Sequence, residues 1–158
     1  MLTIRPAQVS DAALLRDLIC GLAEYEHARE KVVATVEDLV RDGFGAEPKF
    51  RALIAEWGGE AAGYALFFGH YSTWIGRPGI FLEDLFVREK FRGKAIGKAL
   101  LAELARIARR ENCYGLRWEV LDWNQSAIDF YKGLGAVFQD GWRSMVLRDH
   151  ALRRIAEE

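Results

Sequence analysis

The sequence predicts a mixed α/β fold: a central, mostly antiparallel sheet of about seven strands flanked by helices. Three observations lead there. Two apolar runs, Phe50 to Trp57 and Ala61 to Tyr71, are separated by Gly58-Gly59-Glu60, the pattern of a β-hairpin. A third run, from Gly79, passes through a glycine-bearing turn into a helical stretch that ends near Arg110, so that a crossover helix follows the hairpins. The resulting order, βααβββαβαββ, is mixed, with antiparallel hairpins first and crossovers after. A chain of 158 residues predicts one domain over 1–158, with room for a substantial core.

Taken in order, Leu2 to Arg5 alternates as a short strand and Pro6 stops it. Ser10 or Asp11 is placed to cap the next helix, whose Leu14, Leu15, Leu18, Ile19, Leu22 and Ala23 form an apolar stripe ending near Tyr25-Glu26-His27. Thr35 predicts the cap of a second short helix that buries Leu39 and Val40. Asp42-Gly43-Phe44-Gly45 and Pro48 then break the chain before the hairpin. Ser72 to Pro78 reads as a loop carrying Trp74. In the long helix Ile96, Leu100, Leu104, Ile107 and Ala108 recur at three- and four-residue steps, one buried face. Tyr114 to Val120 predicts a strand, Asn124 to Gly133 a helix, Ala136 to Phe138 and Trp142 to Leu147 two further strands, and Leu147 to Glu158 a short terminal helix.

Composition narrows the function classes. A hydrophobic content of 51%, a charged content of 28% and a net charge of −1 describe a globular protein and argue against binding nucleic acid through bulk charge. Cys20 and Cys113 have no metal-like spacing and suit reduced cytosolic thiols, so the expected location is cytoplasmic. His27, His70 and His150 are scattered, which predicts no metal site.

The chemistry is concentrated in two places. Between Arg88 and Lys98 five cations (Arg88, Lys90, Arg92, Lys94 and Lys98) face a single acid, Glu89, and Gly93 and Gly97 allow a tight turn before a helix N-terminus. Strand, basic turn and helix N-terminus together make an anion site. It is no Walker A loop, because Gly97-Lys98 is followed by Ala99, and no dinucleotide fingerprint, because the glycine spacing is wrong. Just upstream, Glu83 and Asp84 sit side by side in an apolar strand, one face carrying Glu83, Leu85 and Val87, the other Leu82, Asp84 and Phe86. Burying both acids is costly unless a cation meets them, which points to a polar cleft for a cationic ligand. Farther on, Asn124 is a good N-cap for a helix with Ala127, Ile128, Tyr131 and Leu134 on one face.

The run Arg92-Gly93-Lys94-Ala95-Ile96-Gly97 resembles the R/Q-x-x-G-x-G/A turn of the GNAT acetyltransferases, with Ala95 where that family usually has its first glycine. Asn124-x-x-Ala127-x-x-Phe130-Tyr131, with Gly135 downstream, resembles the second GNAT signature. Leu22-Ala23-Glu24-Tyr25-Glu26, Trp74-Ile75-Gly76, Leu82-Glu83-Asp84, Trp118 to Asn124 and Gly141-Trp142-Arg143 resemble the spermidine/spermine N-acetyltransferase group over nearly the whole chain. Tyr71 to Trp74 and Val120 to Gln125 are more similar to its thialysine Nε-acetyltransferase branch.

The resemblance implies a GNAT fold and acetyl-coenzyme A as co-substrate. Leu85, Phe86, Val87, Arg92, Gly93, Lys94, Ala95, Ile96, Gly97, Lys98, Asn124, Phe130 and Tyr131 would contact the coenzyme. Glu83 would be the general base acting through water and Tyr131 the general acid. Tyr25, Glu26, Ser72, Trp74, Glu83, Asp84 and Trp142 would line the amine site. The polyamine branch tends to carry an acid at the position of Ser72, so the implied substrate is thialysine or a lysine-like amino acid, with a polyamine as the alternative. A homodimer is implied as well. A non-catalytic acyl-coenzyme A sensor is the rival from another class, kept open by Ala95 and opposed by the presence of both Glu83 and Tyr131.

Overall fold

A computed structural model describes residues 1–157. Glu158, placed by the sequence reading at the end of the terminal helix, lies outside the described residues. The chain divides into two compact units, Met1–Glu119 and Val120–Glu158.

The first unit holds the sheet. Strand β1 (Leu2–Pro6) is followed by helices α1 (Ala12–Tyr25) and α2 (Val36–Phe44), then by β2 (Arg51–Trp57), β3 (Glu60–Ser72), β4 (Arg77–Val87), helix α3 (Ile96–Arg110) and β5 (Leu116–Arg117). Spatial order equals chain order, β1-β2-β3-β4-β5; the first four strands pair antiparallel and β4 pairs β5 parallel. The mixed, mostly antiparallel sheet is as the sequence predicts, though it has five strands rather than about seven.

The helices form where their stripes require. Leu15 and Leu18 of α1 are fully buried, and with Ala12 and Leu39 of α2 they pack on Ala52, Ile54, Tyr64, Leu66 and Phe86. On α3, Ile96, Leu100, Leu101, Leu104, Ile107 and Ala108 are buried, the predicted face with Leu101 added. This helix also packs on the sheet strands, and its residues stand outside the first cluster. Both sheet faces are therefore covered, which is why Ala52 to Ala55 of β2 are buried without alternation.

Of three local details, two differ from expectation. Asp11 occupies the position before α1, yet its carboxylate accepts from the Gln8 amide and from Arg5 at 2.7 Å, so it ties β1 to the turn instead of capping the helix. Thr35 does cap α2, accepting from Asp38 N at 3.1 Å while Asp38 accepts from Thr35 N at 2.9 Å. Val40, expected in the core, is exposed: the buried line of α2 passes through Val36, Leu39 and Phe44.

Strand β4 carries the feature that shapes the site. Asp84 lies opposite Leu66 and Leu82 opposite Phe67, so Glu83 is an extra residue with no partner on β3, a β-bulge. Because Leu66 and Phe67 are neighbours on opposite faces, Leu82 and Asp84 are on opposite faces too. The simple alternation read from the sequence, with Leu82, Asp84 and Phe86 together, fails at this point. The predicted strand Tyr114 to Val120 shrinks to Leu116 and Arg117, paired with Ile80 and Phe81. Its ladder stops just short of the bulge, where β4 no longer offers a regular edge.

The second unit contains α4 (Gln125–Gly133) and α5 (Asp149–Ala156). Helix α4 ends in a Schellman motif: Ala136 N donates to Tyr131 O at 3.1 Å and Gly135 N to Lys132 O at 2.9 Å, with Gly135 at φ 94°. Ala136 to Phe138 and Trp142 to Leu147 form no strand among the described residues. Their apolar pattern suits a strand, yet a strand exists only against an edge, and here Val137 and Met145 are 87% and 95% exposed.

Candidate active site

The basic turn is built for an anion. A short 3-10 turn, Glu89–Phe91, buries Phe91 and turns the chain out of β4. Gly93 follows at φ 76° and Ala95 at φ 59°, both left-handed, and the first backbone hydrogen bond into α3 runs from Ala99 N to Ala95 O at 3.0 Å. The amides of Ile96, Gly97 and Lys98 therefore belong to the first helical turn and point out of its end. Arg92, Gly93, Lys94, Ala95 and Lys98 are exposed around them. A row of outward amides beside several cations fits a pyrophosphate.

Ala95 now has a conformational meaning. Where the resembling family has glycine, this chain holds a Cβ in the left-handed region, at a cost of about 1–2 kcal/mol. Replacing Ala95 with Gly should return part of that, about 0.5–1 kcal/mol after the added backbone entropy of the unfolded chain. Thermal denaturation should show a melting temperature about 1–4 °C higher. An unchanged or lower value would mean that the turn carries no strain.

Arg92 reaches back from the turn. Its Nε donates to Val87 O at 3.1 Å, and its guanidinium lies 4.8 Å from the centre of the Tyr25 ring. Arg88 donates to Asp17 at 2.7 Å and to Ala61 O at 2.9 Å, holding α1 to the end of β4. Between these elements is a cleft of about 610 Å³ whose walls include Gly21, Glu24, Tyr25, Phe86, Arg88 and Arg92. That volume is in the range of small-molecule sites.

Beside the Tyr25 end of α1 lies an acidic recess. Asp84, past the bulge, receives a hydrogen bond from the Tyr64 hydroxyl at 3.0 Å. Burial is the main cause that pushes the Asp84 carboxyl up to about 6; the Tyr64 hydrogen bond opposes this, while Glu83 and Glu26 add to it. Glu26, which follows the last turn of α1, is itself pushed above the usual carboxylate range by burial. Tyr64 is fully buried, its ring edge-on to Phe86 with centroids 6.5 Å apart. Glu83, freed from the ladder by the bulge, is exposed.

The structure thus gathers Glu26, Asp84 and Tyr64 in one recess, and Tyr25, Phe86 and Arg92 around the cleft, with Val87 O held by Arg92. Leu85 lies opposite Ala65 and is half-buried. Ser72 and Trp74 are not brought to the acids: they stand at the tip of the β3–β4 hairpin, six residues along β3 from the partner of Asp84, roughly 20 Å at the rise of a strand. There Ser72 Oγ accepts from Ile75 N at 3.2 Å, and Trp74 is 88% exposed. In the second unit Asn124 is buried, its Oδ1 accepting from Ala127 N at 3.2 Å as the cap of α4; Phe130 and Tyr131 have ring centroids 5.2 Å apart, and Trp142 is exposed. His70, on β3, shares a hydrogen bond of 3.0 Å with the Tyr114 hydroxyl over Gly79, where an added Cβ would sit 2.7 Å from both side chains. That contact gives His70 a structural role.

Sequence reasoning missed Tyr64. A tyrosine inside an apolar strand reads as core, and only its pairing next to an acid-bearing strand exposes a role for its hydroxyl.

A five-stranded mixed sheet with a bulge in β4 thus carries an anion turn at a helix N-terminus and an acidic recess suited to a cation. The fold is shared with an integron cassette protein from the mobile metagenome of V. cholerae, at a TM-score of 0.84 and 24% identity over 99% of this chain and 98% of that one. Residues 14–136 match the Acetyltransferase (GNAT) family, and the chain belongs to that family. Its members generally use acetyl-coenzyme A as co-substrate. Thialysine N-epsilon-acetyltransferase of Sus scrofa is 38% identical over 164 residues, covering 97% of this chain and 96% of that protein. Spermidine/spermine N(1)-acetyltransferase-like protein 1 of Homo sapiens is 34% identical over 149 residues, 88% of this chain and 21% of that protein. The chain is an acetyltransferase enzyme by this kinship.

Proposed function

We propose that the enzyme moves the acetyl group of acetyl-coenzyme A onto the side-chain amine of thialysine or a similar lysine-like amino acid, and that residues 1–158 act as one acetyltransferase domain. The carrying observation is the recess of Asp84 and Glu26, two partly or largely buried carboxylates whose described charged neighbours are acidic. Such a recess attracts a cation and rejects an anion. The near end-to-end likeness to a thialysine acetyltransferase supports the choice of amine. A polyamine is the second reading, supported by the spermidine/spermine relative.

In this reading the anion turn from Arg92 to Lys98 binds the coenzyme pyrophosphate, with Leu85, Phe86, Val87, Asn124 and Phe130 along the rest of the molecule. The coenzyme supplies an acetyl group on a good leaving thiolate. An alkylammonium has a pKa of roughly 10.4 and must lose a proton before it can attack. Asp84 and Glu26 draw the ammonium in, and Glu83 takes its proton through water. Tyr131 then gives a proton to the departing sulfur. Comparing kcat/KM for thialysine and spermidine on one preparation tests the choice: thialysine should be preferred by about tenfold or more. A clear preference for spermidine would overturn the branch and leave acetyl transfer in place.

We also propose a cytoplasmic homodimer. The exposed apolar residues Val137, Phe138, Met145, Val146 and Leu147 carry a strand pattern that forms no strand among the described residues, and a second copy could supply an edge for it. Cys20 and Cys113 are unpaired, as a reducing compartment allows. Light scattering at micromolar concentration should report twice the chain mass; the mass of one chain would count against assembly.

A further inference from the structure

We propose that Tyr64 is a positioning residue of the amine site: its hydroxyl holds one oxygen of Asp84, keeping the carboxylate oriented and anionic while the other oxygen faces the substrate's ammonium. This rests on the amine-acetyltransferase reading and assigns a role to a residue that reading does not use.

Three observations carry it. Tyr64 is fully buried, and its hydroxyl donates to Asp84 Oδ2 at 3.0 Å. A buried hydroxyl has little reason to exist beside Phe86 unless it has an acceptor. Its partner needs help, because the groups acting on Asp84 are Glu83 from the same strand and Glu26 from the end of α1, both acidic, with Cys20 of α1 next to Tyr64. Burial and both acids favour the neutral carboxyl; among these groups only the Tyr64 hydroxyl favours the anion. Register fixes the arrangement as well. The bulge puts Asp84 opposite Leu66, so that Tyr64, two residues along β3, lies on the same face.

Tyr64→Phe keeps the ring and removes the donor. Loss of a hydrogen bond to a charged group should raise the Asp84 midpoint by about one to two pH units. Carboxyl carbon NMR reads this directly on the whole protein, with the Asp84 signal identified by its absence in Asp84→Asn. The acid limb of kcat/KM for thialysine should move up with it. Near pH 6.5 KM should rise about tenfold with kcat little changed, and by pH 9 the ratio of variant to parent should return to within about twofold. A residue that merely packs would give a loss independent of pH. Should the variant fail to fold, 3-fluorotyrosine at position 64, a stronger donor of nearly the same shape, should lower the midpoint instead.

A midpoint that does not move in either protein overturns the proposal whatever the activity. A midpoint that moves while the acid limb stays still also overturns it, since Asp84 would then not govern amine capture. If the parent enzyme acetylates no amine, the functional reading falls, and the NMR titration alone still decides whether Tyr64 sets the state of Asp84.

Discussion

Tyr131→Phe should lower kcat by about 10²–10⁴-fold, the range lost with a general acid, while the protein folds and binds coenzyme as before. The variant keeps the ring that sits 5.2 Å from Phe130 and leaves the Schellman motif intact, because that motif uses only the Tyr131 carbonyl. Packing and helix termination thus persist, and the hydroxyl alone is tested. The thermal shift on adding acetyl-coenzyme A should be preserved, since a ligand that binds the folded state raises the melting temperature without chemistry. Unchanged turnover would make Tyr131 a packing residue and leave the sulfur to be protonated by solvent.

The second large effect joins function to stability. Asp84→Asn should lower kcat/KM for a cationic amine by about a hundredfold or more, as expected when one partner of a desolvated charge pair is lost. The same change should stabilise the fold at neutral pH. A carboxyl whose pKa is raised on folding, here from 3.8 to about 6, binds protons more tightly in the native state. It therefore weakens the fold as pH rises: the penalty is absent below about 4 and complete above about 6. Its size is on the order of 2–3 kcal/mol. Asparagine can still accept from Tyr64 and carries no charge to bury. The variant should melt higher than the parent at pH 7.5, with the gap closing as pH falls toward 4. A lower melting temperature at pH 7.5 would mean that the acid is stabilised by something other than Tyr64. The trade is the usual one, in which a charge kept for binding is expensive to the empty fold.

Much of this was legible in the chain itself. The stripe from Ile96 to Ala108, the hairpin at Gly58-Gly59 and the cap at Thr35 are local rules with one outcome each, and all three hold. The anion turn was legible because charge, glycine and helix start coincide within eleven residues, Arg88 to Lys98. What failed depends on partners distant in sequence. Two adjacent acids at 83 and 84 signalled a polar cleft, but the direction each would take was set by where β3 pairs around them. Tyr64 has no local mark at all, since its role exists only across the ladder. Trp142 to Leu147 shows the converse: a strand pattern is a capacity for pairing, and no edge takes it up among the described residues.

The extra residue at position 83 also decides which change of length β4 can absorb. A strand keeps its two sides by counting, odd to one layer and even to the other, and the bulge resets that count midway. Counted past the bulge, Ile80, Leu82, Leu85 and Val87 face one layer while Phe81, Asp84 and Phe86 face the other, and losing Glu83 would leave both sets where they are. A point substitution at 83 alters one side chain, whereas a one-codon loss there would straighten the ladder, keep both layers filled and remove the carboxylate proposed as the base.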